Sequence, residues 1–209
     1  MMFRNSRLQA LKGAVRTVIE FASQPTGFVS KVLRFKSVTD YERWSRNDSF
    51  HPNWDERTRL MAKHIIPGSS VVEFGAGAQA IRAVLPAGCC YLPSDLVARS
   101  PDTLVCDLNS RYPDLTDLPE RTDVAVFSGV LEYINDLQGL FDWLPTRFDR
   151  VVFSYATLEH TPSLIARRSN GWVNDYRQDQ ITEIVEQAGL HGKAVERWRG
   201  HIIFVVERR

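Results

Sequence analysis

The chain has 209 residues, 44% of them hydrophobic, with a formal net charge of +1. A chain of this size can bury one substantial core, so a single domain with an extension is expected, and so even a charge balance excludes an obvious nucleic-acid binder. The three cysteines, two of them adjacent as Cys89-Cys90, form neither a disulfide framework nor a metal-type spacing. No apolar run approaches the roughly 20 residues of a membrane span, and Lys12 and Arg16 interrupt any signal-peptide core, so a cytoplasmic setting is expected.

Charge is uneven along the chain. Residues 1–36 hold seven Lys or Arg against one acid, Glu20, and the remainder is net acidic. Leu8, Leu11, Val15, Val18 and Ala22 make one apolar stripe at helical spacing. Phe28, Val29, Val32 and Leu33 make a second, after Pro25-Thr26-Gly27. One reading is a basic amphipathic element in peripheral contact with a membrane surface or gripping a partner. The plainer reading is a helical layer packed on the domain or across a homodimer. A third helical stretch is expected over 40–47. The chain thus divides into an N-terminal helical extension, 1–53, and a main domain, 54–209.

Trp54, Thr58, Met61 and Ile65 mark a helix leading into Val71-Val72-Glu73-Phe74-Gly75-Ala76-Gly77-Ala78-Gln79-Ala80. This run reads as a buried strand, an acid, a glycine turn and a helix start. Glycines let backbone approach a ligand, and a helix start offers unpaired N–H groups. Further strands are expected over 89–92, 103–106, 123–127 and 150–155, with helical signal between several of them, clearest at Ile134, Leu137, Leu140, Phe141 and Leu144. A helix lined by Ile181, Ile184, Val185 and Ala188 stops at Gly189. Two last strands, 193–198 and 201–206, are separated only by Arg199-Gly200, which permits a hairpin but no parallel crossover. The expected fold is α/β: a doubly wound, Rossmann-like sheet of about seven strands, mostly parallel, with an antiparallel C-terminal hairpin and N-terminal helices.

Gly75-x-Gly77-x-x-Ala80 satisfies the dinucleotide fingerprint, with Asp95 at the spacing of a ribose-binding acid. Glu73 argues for a different ligand. A pyrophosphate at that turn would meet a like charge, whereas the ammonium and sulfonium of S-adenosylmethionine would both be favoured. The run resembles motif I of the class I S-adenosylmethionine-dependent methyltransferases, acid-x-Gly-x-Gly-x-Gly, with Gln79 in the third glycine position. The resemblance extends over about residues 54–207. It implies that Glu73, Gly75, Ala76 and Gly77 cradle S-adenosylmethionine, that Asp95 after the second strand holds the ribose hydroxyls, and that Asp107 and the Leu108 N–H after the third strand read adenine. Ser128 and Gly129, in Phe127-Ser128-Gly129-Val130-Leu131-Glu132-Tyr133, would flank the methionine moiety.

Methyl transfer from a sulfonium is one displacement, and a general base matters only where the acceptor must lose a proton. The family often has His where this chain has Tyr133. Tyr133 as a pocket residue and His160, beyond the fifth strand, are the catalytic candidates; the bland alternatives are core packing and a loop histidine that bonds locally. No metal-ligand spacing is present. Lacking an Asn/Asp-Pro-Pro-Tyr tetrapeptide or a basic aromatic strip, the chain is expected to methylate a small molecule, glycan or lipid-linked acceptor rather than nucleic acid. Two alternatives stay open: a nicotinamide-dependent oxidoreductase, and a non-catalytic interaction protein with a degenerate methyltransferase fold.

Overall fold

The computed structural model describes residues 39–46, 50–114, 116–118 and 122–208. The two apolar stripes and the basic segment 1–36 lie outside the described residues. Among those described, one seven-stranded sheet forms the centre: β1 (Ser70–Phe74), β2 (Cys90–Asp95), β3 (Leu104–Val105), β4 (Val124–Phe127), β5 (Arg150–Ala156), β6 (Leu190–Trp198) and β7 (His201–Arg208). Their spatial order is β3-β2-β1-β4-β5-β7-β6. The first five pair in parallel, and β7 lies antiparallel between β5 and β6. The expected sheet is therefore the observed one.

Its central strands are apolar on both faces, as strands covered on two sides must be. All of Val124–Phe127 is buried, and so is β5 beyond Arg150. Helices α1 (Tyr41–Trp44), α2 (Trp54–Ala62), α3 (Leu137–Trp143), α4 (Leu164–Ser169) and α5 (Gln178–Gln187) complete the regular structure. Leu140 and Phe141 of α3 and Ile181 and Val185 of α5 cover one face, against Phe127, Phe153 and Phe204. Met61 and Ala62 of α2 cover the other, with Val71, Val126, Val152 and Ile203. Phe153 stacks on Phe204 at 4.8 Å between ring centres, which ties the hairpin to the parallel part.

Two expectations are corrected. The stretch 40–47 yields only the single turn of α1, capped by the Asp40 carboxylate accepting from the Arg43 N–H. More consequentially, no α-helix follows the glycine turn. Gln79 takes a left-handed φ of 56°, incompatible with an α-helix, and Pro86 follows closely; a 3-10 helix, Ala80–Ala83, is all that fits. At the other end of the chain, Gly189 stops α5 in the left-handed conformation, φ 74°, as expected.

Candidate active site

The turns at the carboxyl ends of β1, β2, β3 and β4 open into one cavity of about 420 Å3, the edge at which open α/β sheets bind ligands. Glu73, Gly75, Ala76, Gly77, Asp95, Asp107, Leu108, Ser128, Gly129 and Tyr133 all line it. His160 does not: its side chain is exposed, and its backbone N–H is tied to the Thr157 carbonyl in the turn after β5. The neighbouring Thr161 does line the cavity.

Glu73 is the penultimate residue of β1, buried from Val71 onward, and its carboxyl is buried where the Tyr91 O–H donates to Oε2 at 2.6 Å. Burial raises its pKa to about 8; Asp95 adds to the rise, while the Tyr91 hydroxyl and Arg57 oppose it. The residue that sequence reasoning missed is Arg57, on α2. It is 5% exposed, donating through Nε to Ser128 Oγ at 3.2 Å and through Nη2 to the Ser128 carbonyl at 2.9 Å. Its guanidinium lies over the rings of Trp54 and Trp198. Among the described residues no carboxylate stands within ion-pair distance of it, so it brings a buried positive charge to the cavity wall. Burial lowers its pKa, with Glu132, Tyr133 and Glu73 pulling the other way. No local motif marks it: an arginine at the buried face of a helix carries no pattern of its own.

The glycines answer first to protein neighbours. Gly75 and Gly77 have φ of 67° and 49°. A Cβ at Gly75 would stand 2.5 Å from Val130 Cγ2, and one at Gly77 2.9 Å from Phe50 Cε1. At Gly129 it would meet the Arg57 guanidinium at 2.5 Å. The turn is held closed by Asp95, whose Oδ2 accepts from the Gly77 N–H at 2.8 Å while Oδ1 lies 3.6 Å from Arg99 Nη2. Arg99 in turn donates to the Trp44 and Ser45 carbonyls and lies over Phe50. Asp107 Oδ1 accepts from Thr39 Oγ1 at 2.8 Å and from the Asn109 N–H at 3.0 Å. The extension before residue 54 thus supplies part of the wall: Thr39, Arg43, Trp44 and Phe50 all line the cavity.

At the far end, Tyr133 accepts from Trp172 Nε1 at 3.1 Å and packs edge-on against Trp44 at 4.9 Å. Burial pushes its hydroxyl pKa well up, so it stays protonated. Two histidines line the cavity: His51, exposed and accepting the Asn53 N–H at Nδ1, and His201, the first residue of β7, with Trp172 and Trp198 each 5.9 Å from its ring. The His201 Nδ1 stands 3.3 Å from Oε1 of Glu132, which is fully buried. The same oxygen accepts the Ala156 N–H at 2.7 Å. Burial opposes ionisation of Glu132, but His201 and the backbone donors outweigh it and hold the carboxyl below its ordinary range. Sequence reading passed over His201 because it looks like a strand residue beside a hairpin turn.

No family model and no curated protein matches the chain. Solved structures do. The chain is similar to the mitomycin 7-O-methyltransferase MmcR, at 13% identity and TM-score 0.63, over 93% of this chain and 72% of that one. It is similar to human N-acetylserotonin methyltransferase in complex with SAM, at 13% identity and TM-score 0.62, over 96% and 66%. A third is CalO1, a methyltransferase in calicheamicin biosynthesis in its SAH-bound form, at 15% identity and TM-score 0.56, over 75% and 54%. The chain thus spans about half to three quarters of the length of these three. Likeness at such identity is a likeness of fold, and it agrees with the observed strand order. The chain has the fold of the class I S-adenosylmethionine-dependent methyltransferases.

Proposed function

We propose that the chain is a methyltransferase that binds S-adenosylmethionine and passes its methyl group by direct displacement to a small-molecule, glycan or lipid-linked acceptor. One observation carries the reading. A buried carboxyl, Glu73, and a buried guanidinium with no carboxylate at ion-pair distance among the described residues, Arg57, both line this cavity, close enough that each field acts on the other. An α-amino acid terminus offers the matching charges: its ammonium to Glu73, its carboxylate to Arg57. Asp95 and Asp107 keep acceptor capacity beyond their internal bonds, for a ribose diol and an exocyclic amine. The Leu108 N–H, with Ser128 and Gly129, completes the path. Bound there, the cofactor supplies a methyl group on a sulfonium.

The dinucleotide alternative is disfavoured by the same geometry. A pyrophosphate needs a helix N-terminus, and only a 3-10 turn follows the glycines; the Gly77 N–H is taken by Asp95. Glu73 would also oppose it. Calorimetry on the full chain with S-adenosylhomocysteine, S-adenosylmethionine and NAD tests the assignment. Binding of the two adenosyl ligands without NAD is expected; tight NAD binding with no response to either overturns it. Among the described residues no helix is long and apolar enough to cross a membrane.

A further inference from the structure

The cavity has two unlike ends. Glu73, Asp95 and Asp107 make one end acidic; Arg43, Arg57 and Arg199, interleaved with tryptophans and set against the single carboxylate of Asp55, make the other cationic and aromatic. Arg57 lies over Trp54 and Trp198, Arg43 over Trp44, and Arg199 over Trp198. With Arg57 paired to the cofactor's carboxylate, a cationic acceptor would still meet the guanidinium groups of Arg43 and Arg199 there, while a planar neutral or anionic ring would stack on the tryptophans. In this end stands His201 with a buried carboxylate behind it.

We propose that His201, held by Glu132, is the general base for an aromatic hydroxyl acceptor carrying no positive charge. This rests on the methyltransferase reading above. The geometry argues as follows. An ionised carboxylate only accepts hydrogen bonds, so the nitrogen facing it, Nδ1 at 3.3 Å from Glu132 Oε1, carries the ring hydrogen. Nε2 is then the basic nitrogen. The contact is loosely aligned, and neither Glu132 Oε2 nor His201 Nδ1 completes a hydrogen bond. Such looseness is usual at a base before its substrate is seated. A buried carboxylate with one oxygen left unsatisfied is costly, which makes it a strong partner for a ring that gains charge. The hairpin turn that presents His201 is closely packed: Arg199 takes the left-handed φ of 51° that a two-residue hairpin favours, and Gly200 lies so near Thr161 that a Cβ there would stand 2.7 Å from Thr161 Cγ2.

In the step, the acceptor's O–H proton passes to His201 Nε2. The oxygen's electron pair forms the new O–CH3 bond, and sulfur keeps the pair of the S–CH3 bond that breaks. Methyl ether, neutral thioether and imidazolium result; Glu132, a positioning residue, stabilises the imidazolium until its proton leaves to solvent.

Two measurements on the full chain test this. The first is long-range proton–nitrogen NMR of the imidazoles, with His201 assigned through His201→Asn. A neutral ring protonated at Nδ1, shifting toward the other tautomer in Glu132→Gln, is expected; a ring protonated at Nε2 in the parent overturns the proposal. The second is single-turnover methylation of phenol, 4-hydroxybenzoate, tyramine and 4-nitrophenol at alkaline pH, where the last is already a phenolate. His201→Asn should slow the phenol reaction about 10²- to 10⁴-fold, and the nitrophenolate reaction only a few-fold, because an ionised acceptor needs no base. Tyramine should be the poorest acceptor. A loss uniform across the series makes His201 merely structural, and a preference for tyramine overturns the acceptor class. The charged and titratable groups on this side of the cavity are Glu132 from the turn after β4, Asp55, Glu56 and Arg57 from α2, His51 just before α2, and Arg199 from the hairpin, with Tyr133 and Tyr155 adjoining Glu132. A rate–pH limb that survives in His201→Asn therefore belongs to one of these and counts against the proposal. Absence of S-adenosylhomocysteine binding by the parent would overturn the methyltransferase reading itself. Binding with the wrong tautomer or a uniform loss overturns this inference alone.

Discussion

The acidic and the cationic ends of the cavity are built in different ways. At the acidic end, each side chain sits at or just beyond the carboxyl end of a parallel strand, and its partners are near. Tyr91 holds Glu73 across the adjacent pair β1 and β2, and Asp95 holds Gly77 in the neighbouring turn. At the cationic end the parts come from remote segments: Trp44 and Arg57 precede the sheet, Tyr133 and Glu132 follow β4, and Trp198 and His201 belong to the final hairpin. The first end is a row of turns set by sheet topology. The second is an assembly that exists only when the chain has closed on itself, and it is therefore the end free to vary with the acceptor.

Substitutions separate the two ends. The largest effect is expected at the seam, where Arg57 serves both. Arg57→Met removes a charge-assisted contact worth roughly 1.5–3 kcal/mol, so S-adenosylhomocysteine affinity should fall about 10- to 150-fold by calorimetry. Unchanged affinity would place Arg57 wholly in the acceptor end. Next is Asp95→Ala, which leaves the Gly77 N–H and the Arg99 guanidinium short of a partner. It should cost roughly 1–3 kcal/mol of stability, read as a fall in Tm, together with cofactor affinity. A loss of affinity without loss of Tm would show that the ligand, not the loop, is what Asp95 holds.

Glu73 supplies a pH signature confined to the acidic end. With a pKa of about 8, its carboxyl is mostly neutral at lower pH, and an ammonium ligand favours the ionised form. Affinity for S-adenosylhomocysteine should rise as pH goes from about 6 to about 8. In Glu73→Gln it should be flat, and about tenfold weaker than the parent near pH 8. Stability moves in the opposite sense. The pKa in the folded chain lies above the ordinary 4.5, so the stabilising contribution of this group is complete below that value and is lost as pH rises through about 8. Glu73→Gln cannot ionise and keeps the contribution, so without ligand its Tm should overtake the parent's on the alkaline side. A constant Tm difference across that window would mean that Glu73 is already ionised in the empty cavity. The smallest effect belongs to the far end: Tyr133→Phe gives up the bond from Trp172 Nε1, roughly 0.5–1.5 kcal/mol. It should change acceptor KM a few-fold and leave S-adenosylhomocysteine affinity unaltered.

The sequence by itself determined the sheet, because continuous apolar runs, Pro and Gly breaks and the two-residue Arg199-Gly200 link each act through neighbours in the chain. For the same reason it placed the candidates from Glu73 to Gly129 at strand ends, which topology then gathers into one cavity. Only tertiary structure decided the rest. Gln79 in a left-handed conformation and the cramped approach to Pro86 leave a 3-10 turn where the glycine pattern reads as a helix start. His160 and His201 are both histidines beside β-structure, and which of them meets a buried carboxylate depends on β7 lying beside β5, next to the turn that carries Glu132. Arg57 becomes a buried charge with no carboxylate at ion-pair distance among the described residues only because α2 packs behind Ser128 and Trp198. Contacts between residues far apart in the chain leave no local pattern, since burial and charge pairing are properties of the closed fold.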